Sequence, residues 1–407
     1  MSLQLGWVAR ADWLDEDRAR AWRNVLLVLS GIALLAWWGP SRHGLDLVGR
    51  PIGTDFLSFY AASELVLSGH AAAAYSIPAH RAAETAVFGH TVGYPAFFYP
   101  PLFLLICAPL AKLPYLGALF AWLGVTGAAY IATAREWVSK RSGLLAALAF
   151  PAVFANIGHG QNAFLSAALL GAGARWLDRR PVLAGVALGL LAYKPHLGLL
   201  LPVVLIIARR WTTIFSAAAT VAAFACLSLL AFGVDAWTGF LDNSHLARVV
   251  LETGVVGPDK MVSAFAAVRV LGGPAPLAYA AQAAVAVFVI VSLVRTRRMW
   301  VRHPSEPALL VMAALLGSPF LLDYDLVILA LPLAWLATTG AREGFRPWEK
   351  LGLTAGFVLP LVARSLAHVA GLPIAPLVLL ALFNFVLRRS DARASDVLIA
   401  ARLQPQF

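Results

Sequence analysis

Charge is what this sequence has least of. Only 13% of its 407 residues are Asp, Glu, Lys or Arg, against about 25% in soluble domains. Hydrophobic residues make up 60%, so a soluble globular fold is excluded and an all-α polytopic membrane protein is expected. Cysteine is nearly absent. The two present, Cys107 and Cys226, sit inside apolar runs and read as small buried hydrophobes, not as a disulfide or metal pair. Also missing are GxxxxGK[ST], a GxGxxG after a strand, and any soluble stretch long enough for a nucleotide-binding domain. A nucleotide donor is therefore unsupported. No tandem repeat or low-complexity tract occurs, no metal-ligand cluster stands out, and no cofactor is expected.

The net charge is +11. In a soluble chain this would suggest nucleic acid. Here the bases gather at the ends of apolar runs, as at Arg135, Lys140 and Arg141, at Arg209 and Arg210, and at Arg295, Arg297 and Arg298. That is the pattern of cytoplasmic turns, and it predicts topology, not a nucleic-acid partner. Residues 1–23 form a polar, amphipathic cytoplasmic lead containing both Asp and Glu, so no cleavable signal is expected. Residues 24–387 are read as one transmembrane domain with about 11–13 crossings, and 388–407 as a cytoplasmic tail. Several apolar runs are short and interrupted by proline, which predicts helices that stop inside the membrane around a cavity. The first long outward segment, 39–100, holds two weak helical patterns near 58–69 and 78–88, expected as interfacial helices. The segment 233–274 is expected to face outward as well.

Sorting the chain this way puts the unusual polar residues on one face. Outward segments carry Asp55, Tyr99, His159, Gln161, Asn162, Lys194, His196, Asp323 and Asp325. Asp55 sits in Gly53-Thr54-Asp55-Phe56, with no base beside it. A carboxylate in such an aromatic setting at a bilayer edge needs a partner or a task. Two compatible readings are open: the base of a lipid-dependent sugar transfer, or a helix N-cap bonding the amides of Phe56 to Ser58. Gly158-His159-Gly160-Gln161-Asn162 offers donors and acceptors suited to sugar hydroxyls, or a polar cap on a helix turn. Lys194, before Pro195 and His196, either holds the phosphate of a lipid-linked donor or snorkels to the headgroups. Asp323 and Asp325, two apart, do not share a helix face, so at most one is expected to enter a given pocket. Arg269, and Lys260 near it, are candidate phosphate contacts or solvated surface charges. Asp55 with Asp323 and Asp325 is a weak candidate set for a divalent cation.

The sequence resembles glycosyltransferase family 87, membrane enzymes of the GT-C superfamily. The resemblance is carried by Gly53-Thr54-Asp55-Phe56, Phe98-Tyr99-Pro100-Pro101-Leu102, Ala108-Pro109-Leu110 and Gly160-Gln161-Asn162. It continues through Arg180-Pro181, Ala184-Gly185, Lys194-Pro195, Arg210-Trp211 and Ser318-Pro319. It implies a GT-C fold and a polyprenyl-phosphate sugar donor, classically mannose. It also implies inversion at the anomeric carbon, an envelope glycolipid or glycan acceptor, and no required metal. Asp55 then corresponds to the catalytic base and Lys194-Pro195 to the family's Lys-Pro element. The assignment of Arg269 to the donor phosphate, and of Tyr99, His159, Gln161, Asn162, His196, Asp323 and Asp325 to the sugar or acceptor, rests on the residues alone. A bacterial inner membrane, with the site facing outward, is the expected location. The chain departs from the family at Asp323-Tyr324-Asp325, where many members are histidine-rich. The competing classes are a transporter or flippase of lipid-linked substrates and a non-catalytic envelope scaffold.

Overall fold

Amide groups in hydrocarbon have no water to bond, so apolar runs satisfy their backbone by folding as helices. The computed structural model describes residues 7–138, 140–254 and 257–403, and helices are its only extended regular elements. Residues 1–6 of the expected lead and 404–407 of the expected tail lie outside the described residues. The protein is an all-α polytopic membrane protein.

Among the described residues, six helices are long and apolar enough to cross a bilayer: Glu16–Trp38, Tyr115–Trp137, Trp211–Val249, Ala275–Arg295, Asp323–Glu343 and Glu349–Ala370. Arg141–Leu148 and Pro151–His159 form a seventh, broken by a 49° bend. Six shorter apolar helices of 10–17 residues accompany them. The count of six full-length spans, seven with the bent pair, corrects the 11–13 crossings expected, because many of the apolar runs form helices too short to cross. At about 1.5 Å per residue the short ones fall well below a 30 Å hydrocarbon core. Pro101–Lys112 is one of these pieces, an α-helix over Pro101–Cys107 that ends in a 3-10 turn. That turn, Leu110–Lys112, separates the α-helix from the full-length Tyr115–Trp137 helix.

The basic turns meet at one end of the bundle. Arg210 grips Glu306 through two nitrogens, at 2.8 and 2.5 Å, and Asp178 at 2.6 Å. Arg389 binds Glu349 at 2.8 Å, both groups being buried. Arg297 donates to the carbonyl of Ile207 and Arg346 to that of Arg388. Pro151–His159, Pro181–Leu190, Glu306–Gly317 and Glu349–Ala370 all run away from this end. The first three stop at the polar segments 159–162, 191–198 and 318–325.

Three features bear on the site or on expectation. The helix Phe56–Leu67 buries Phe56 to Ser63 within the protein. Its aromatic residues pack on Tyr99, Phe103, Tyr115 and Trp122. Segment 233–274 begins as helix. The helix from Trp211 bends at Gly233, whose φ of 76° and ψ of 175° suit glycine, and continues to Glu252. The part after the bend lies on the first loop, where Phe240 meets Tyr75 and Asn243 donates to the Phe97 carbonyl at 3.0 Å. Cys107 is buried as expected, but Cys226 lies exposed on this same helix.

Candidate functional site

Two glycines bring the site together. Gly53 and Gly160 have φ of +70° and +64°, a region open mainly to residues without a Cβ. A Cβ on Gly160 would stand 2.6 Å from the Phe56 Cβ and 3.3 Å from the Gly53 Cα. Their close approach lets the Asp55 amide donate to the His159 carbonyl at 3.0 Å. The loop before the first buried helix is thereby fastened to the turn that ends the broken one.

Asp55 occupies the N-cap position of Phe56–Leu67, yet its side chain makes no capping bond. The carboxylate turns to Gln161 instead, whose side-chain amide donates to Oδ2 at 3.0 Å. The Gln161 carbonyl accepts from the Asn162 amide at 3.1 Å and the Tyr99 hydroxyl at 3.3 Å, which orients the NH2 group toward Asp55. The other oxygen, Oδ1, lies 3.4 Å from the Thr54 hydroxyl and 4.0 Å from His159 Nδ1. Thr54 and His159 are themselves 2.8 Å apart. The Asp55 side chain is 31% exposed and that of His159 33%, so this part of the site is open.

Lys194 lies behind the same turn. It sits between two 3-10 turns, Leu191–Tyr193 and Pro195–Gly198, where proline ends the helical ladder. At 3% exposure it does not snorkel. Its ammonium donates to the Asn162 side-chain oxygen, Oδ1, at 3.0 Å and to Asp325 at 2.5 Å, and lies 5.2 Å from the centre of the Tyr324 ring. Asp325 is fully buried as its counter-ion. Gln161 and Asn162, adjacent in sequence, thus touch Asp55 and Lys194 respectively.

The remaining expected residues divide. Asp323 is at the rim, where Arg364 approaches it at 3.8 Å. The two acids of 323–325 therefore part, Asp325 turning to Lys194 and Asp323, 17% exposed, to Arg364. His196 contacts the Ser318 hydroxyl at 2.7 Å and so braces Ser318-Pro319. Arg269 is engaged elsewhere, donating to the carbonyls of Gly273 at 2.8 Å and Glu252 at 2.7 Å. These bonds tie down the end of the helix from Trp211, and no contact joins Arg269 to Asp55 or Lys194 among the described residues. Nor do three or more His, Cys, Asp or Glu side chains cluster to hold a metal there. The broad open groove at the surface is lined by Ile77, Arg81, Thr85 and Gly89, not by Asp55 or Lys194.

Several residues here escaped the sequence reading. Thr54 and Tyr324 were passed over beside their acidic neighbours. Arg364 lies 3.6 Å from Asp259, which also meets His368 at 3.6 Å. Arg364 and His368 stand four apart on an apolar helix, a spacing that places both on one face.

A partly exposed carboxylate with one oxygen held by an amide and the other only loosely engaged, at 3.4 Å from the Thr54 hydroxyl, can take a proton from a bound hydroxyl. Behind it the Lys194 ammonium is paired with the Asp325 carboxylate. The sequence model of glycosyltransferase family 87 matches residues 97–322, which include Tyr99, His159, Gln161, Asn162 and Lys194. No curated protein and no solved structure matches the chain. Asp55 precedes the matched region but is bonded to its Gln161 and His159. With more than half of its length matched, the chain belongs to glycosyltransferase family 87 and is a membrane glycosyltransferase.

Proposed function

We propose that the protein moves a hexose, mannose in the simplest case, from a polyprenyl-phosphate carrier to an envelope glycolipid or glycan. The reaction takes place on the outward face of a bacterial inner membrane. The observation that carries this reading is the Asp55 carboxylate, partly exposed, free of any capping bond and aimed by Gln161. The acceptor hydroxyl attacks the anomeric carbon and gives its proton to Asp55. The bond from that carbon to the phosphate oxygen breaks, the electron pair leaves with the polyprenyl phosphate, and configuration inverts. Lys194 offers the leaving phosphate positive charge. Two of its N–H groups are held by Asn162 and Asp325, and the ammonium lies 5.2 Å from the centre of the Tyr324 ring, so its effect on the phosphate is through its charge. His159, Tyr99 and Asp323 orient the sugar or the acceptor.

Asp55→Asn tests the assignment. Labelled polyprenyl-phosphate mannose is offered with extracted envelope glycolipids to purified protein in nanodiscs. The variant is expected to fold and insert normally and to lose transfer by about 100-fold or more, the range of a lost general base. Turnover equal to the wild type would remove Asp55 as the base.

A further inference from the structure

His80 and Glu84 lie one turn apart on the loop helix Ile77–Phe88, with side chains 0% and 1% exposed. Nδ1 of His80 is 3.5 Å from the nearer Glu84 oxygen. Neither that nitrogen nor either Glu84 oxygen has a hydrogen-bond partner. The second ring nitrogen, Nε2, is 3.1 Å from the carbonyl oxygen of Ser58. Ser58 stands in the first turn of the helix that Asp55 begins, and its amide bonds the Asp55 carbonyl at 3.3 Å.

These contacts determine where the protons sit. A carbonyl only accepts, so Nε2 carries hydrogen. In a neutral imidazole Nδ1 is then an acceptor, and the group facing it is Glu84. An ionised carboxylate there would be buried without a donor. An imidazolium–carboxylate pair would need short, well-supported contacts to offset desolvation of both charges, and the surroundings are the aromatic rings of Tyr94 and Phe97. The favourable arrangement is a protonated Glu84 donating to His80 after a small side-chain rotation.

We propose that His80 and Glu84 form a neutral, proton-bearing strut that holds the first turn of the Phe56–Leu67 helix, and with it Asp55, in place. Both are positioning residues. The consequence for transfer rests on the reading of Asp55 given above, whereas the strut does not.

Burial pushes Glu84 up to about 8, against the opposing charge of Arg81. Burial likewise pushes His80 down to about 4, against its bond to Ser58. The other titratable groups around the pair are the Arg81 guanidinium, several phenols and the Glu64 carboxylate. Tyr94 and Tyr115 feel the Glu84 charge, and Arg81 lies over the Tyr94 ring. From the buried helix Tyr60 faces Glu64, and from the 71–75 turn comes the buried Tyr75 hydroxyl. A raised carboxyl gives stability that is complete below its ordinary value of 4.5 and is lost as pH climbs through about 8. A lowered imidazole gives stability present above 6.5 and lost as pH falls through about 4. The strut is whole between about 4 and about 8.

The test compares full-length wild type, Glu84→Gln and Glu84→Ala in nanodiscs. Two readouts are taken at pH 7 and pH 9: hydrogen exchange of the 56–67 amides, and transfer from labelled polyprenyl-phosphate mannose to extracted glycolipids. Glutamine donates to His80 and cannot ionise, so this variant keeps wild-type protection and transfer at pH 7. From pH 7 to pH 9 the wild type should lose about tenfold in transfer as the strut proton leaves, and it should lose protection relative to Glu84→Gln at pH 9. Glu84→Ala is expected to be weak at both. An equal alkaline fall in Glu84→Gln, or wild-type protection matching it at pH 9, overturns the strut. Exchange that behaves as expected, with no variant transferring sugar at any pH, supports the strut and sinks the transferase reading of Asp55.

Discussion

The Gln161 side-chain amide and the Asp55 carboxylate meet at 3.0 Å across 106 residues of sequence. The same glutamine is held from behind by Tyr99 and the Asn162 amide. Its role is to fix the direction in which the acid points, and a reaction that depends on that acid inherits the dependence.

Replacing Gln161 should therefore cost activity in a graded way. Gln161→Ala removes the donor and is expected to lower kcat about tenfold. Gln161→Glu sets two carboxylates face to face, where they share a proton. The acceptor's proton then has no free base, and transfer should fall about 100-fold. Steady-state rates with the labelled donor check the order. A Gln161→Glu enzyme as active as Gln161→Ala would contradict it.

Lys194 and Asp325 invite a double substitution. Lys194→Met alone strands a buried carboxylate, at a cost of about 3–5 kcal/mol, and should lower the thermal midpoint sharply. Adding Asp325→Leu removes the stranded charge, so most of the stability should return. Transfer should not return, because the phosphate has lost its ammonium. A doubly substituted protein that transfers sugar would show that Lys194 serves folding only.

Gly160→Ala forces a side chain into a left-handed conformation, about 1–3 kcal/mol of strain. Its Cβ would also lie 2.6 Å from Phe56 and 2.8 Å from Leu119. Thermal unfolding in detergent should show a clear loss, and transfer should fall with it as the Asp55 loop lifts from His159. Gly124→Ala is the control. It lies within a helix, with nothing inside 4 Å of the new carbon, and should gain up to about 1 kcal/mol.

Much of this arrangement was legible from the chain alone. Scarce charge and recurrent apolar runs announced the helices. Asp55 and Lys194 stood out because an ionisable group in such surroundings is costly. What composition could not supply was the pairing. Asp325 lies 131 residues from Lys194, and its role as counter-ion follows only from where two broken helices end. Arg269 illustrates the opposite error: a guanidinium binds carbonyls as well as phosphate, and spacing does not say which. The N-cap reading of Asp55 held for its position but not for its side chain, because Gln161 competes for the carboxylate. Gly233 was invisible as a bend because a glycine inside an apolar run looks the same in a straight helix.

The partnership of Lys194 with Asp325 also bears on biogenesis. A ribosome working at about 5–20 residues per second emits the lysine on the order of ten seconds before its counter-charge. In that interval the ammonium resides in nascent membrane protein at a cost of about 2.5–3.5 kcal/mol. The segment around 318–325 therefore completes assembly: its late arrival neutralises the waiting cation, and a chain truncated ahead of it keeps the Lys194 charge without its carboxylate.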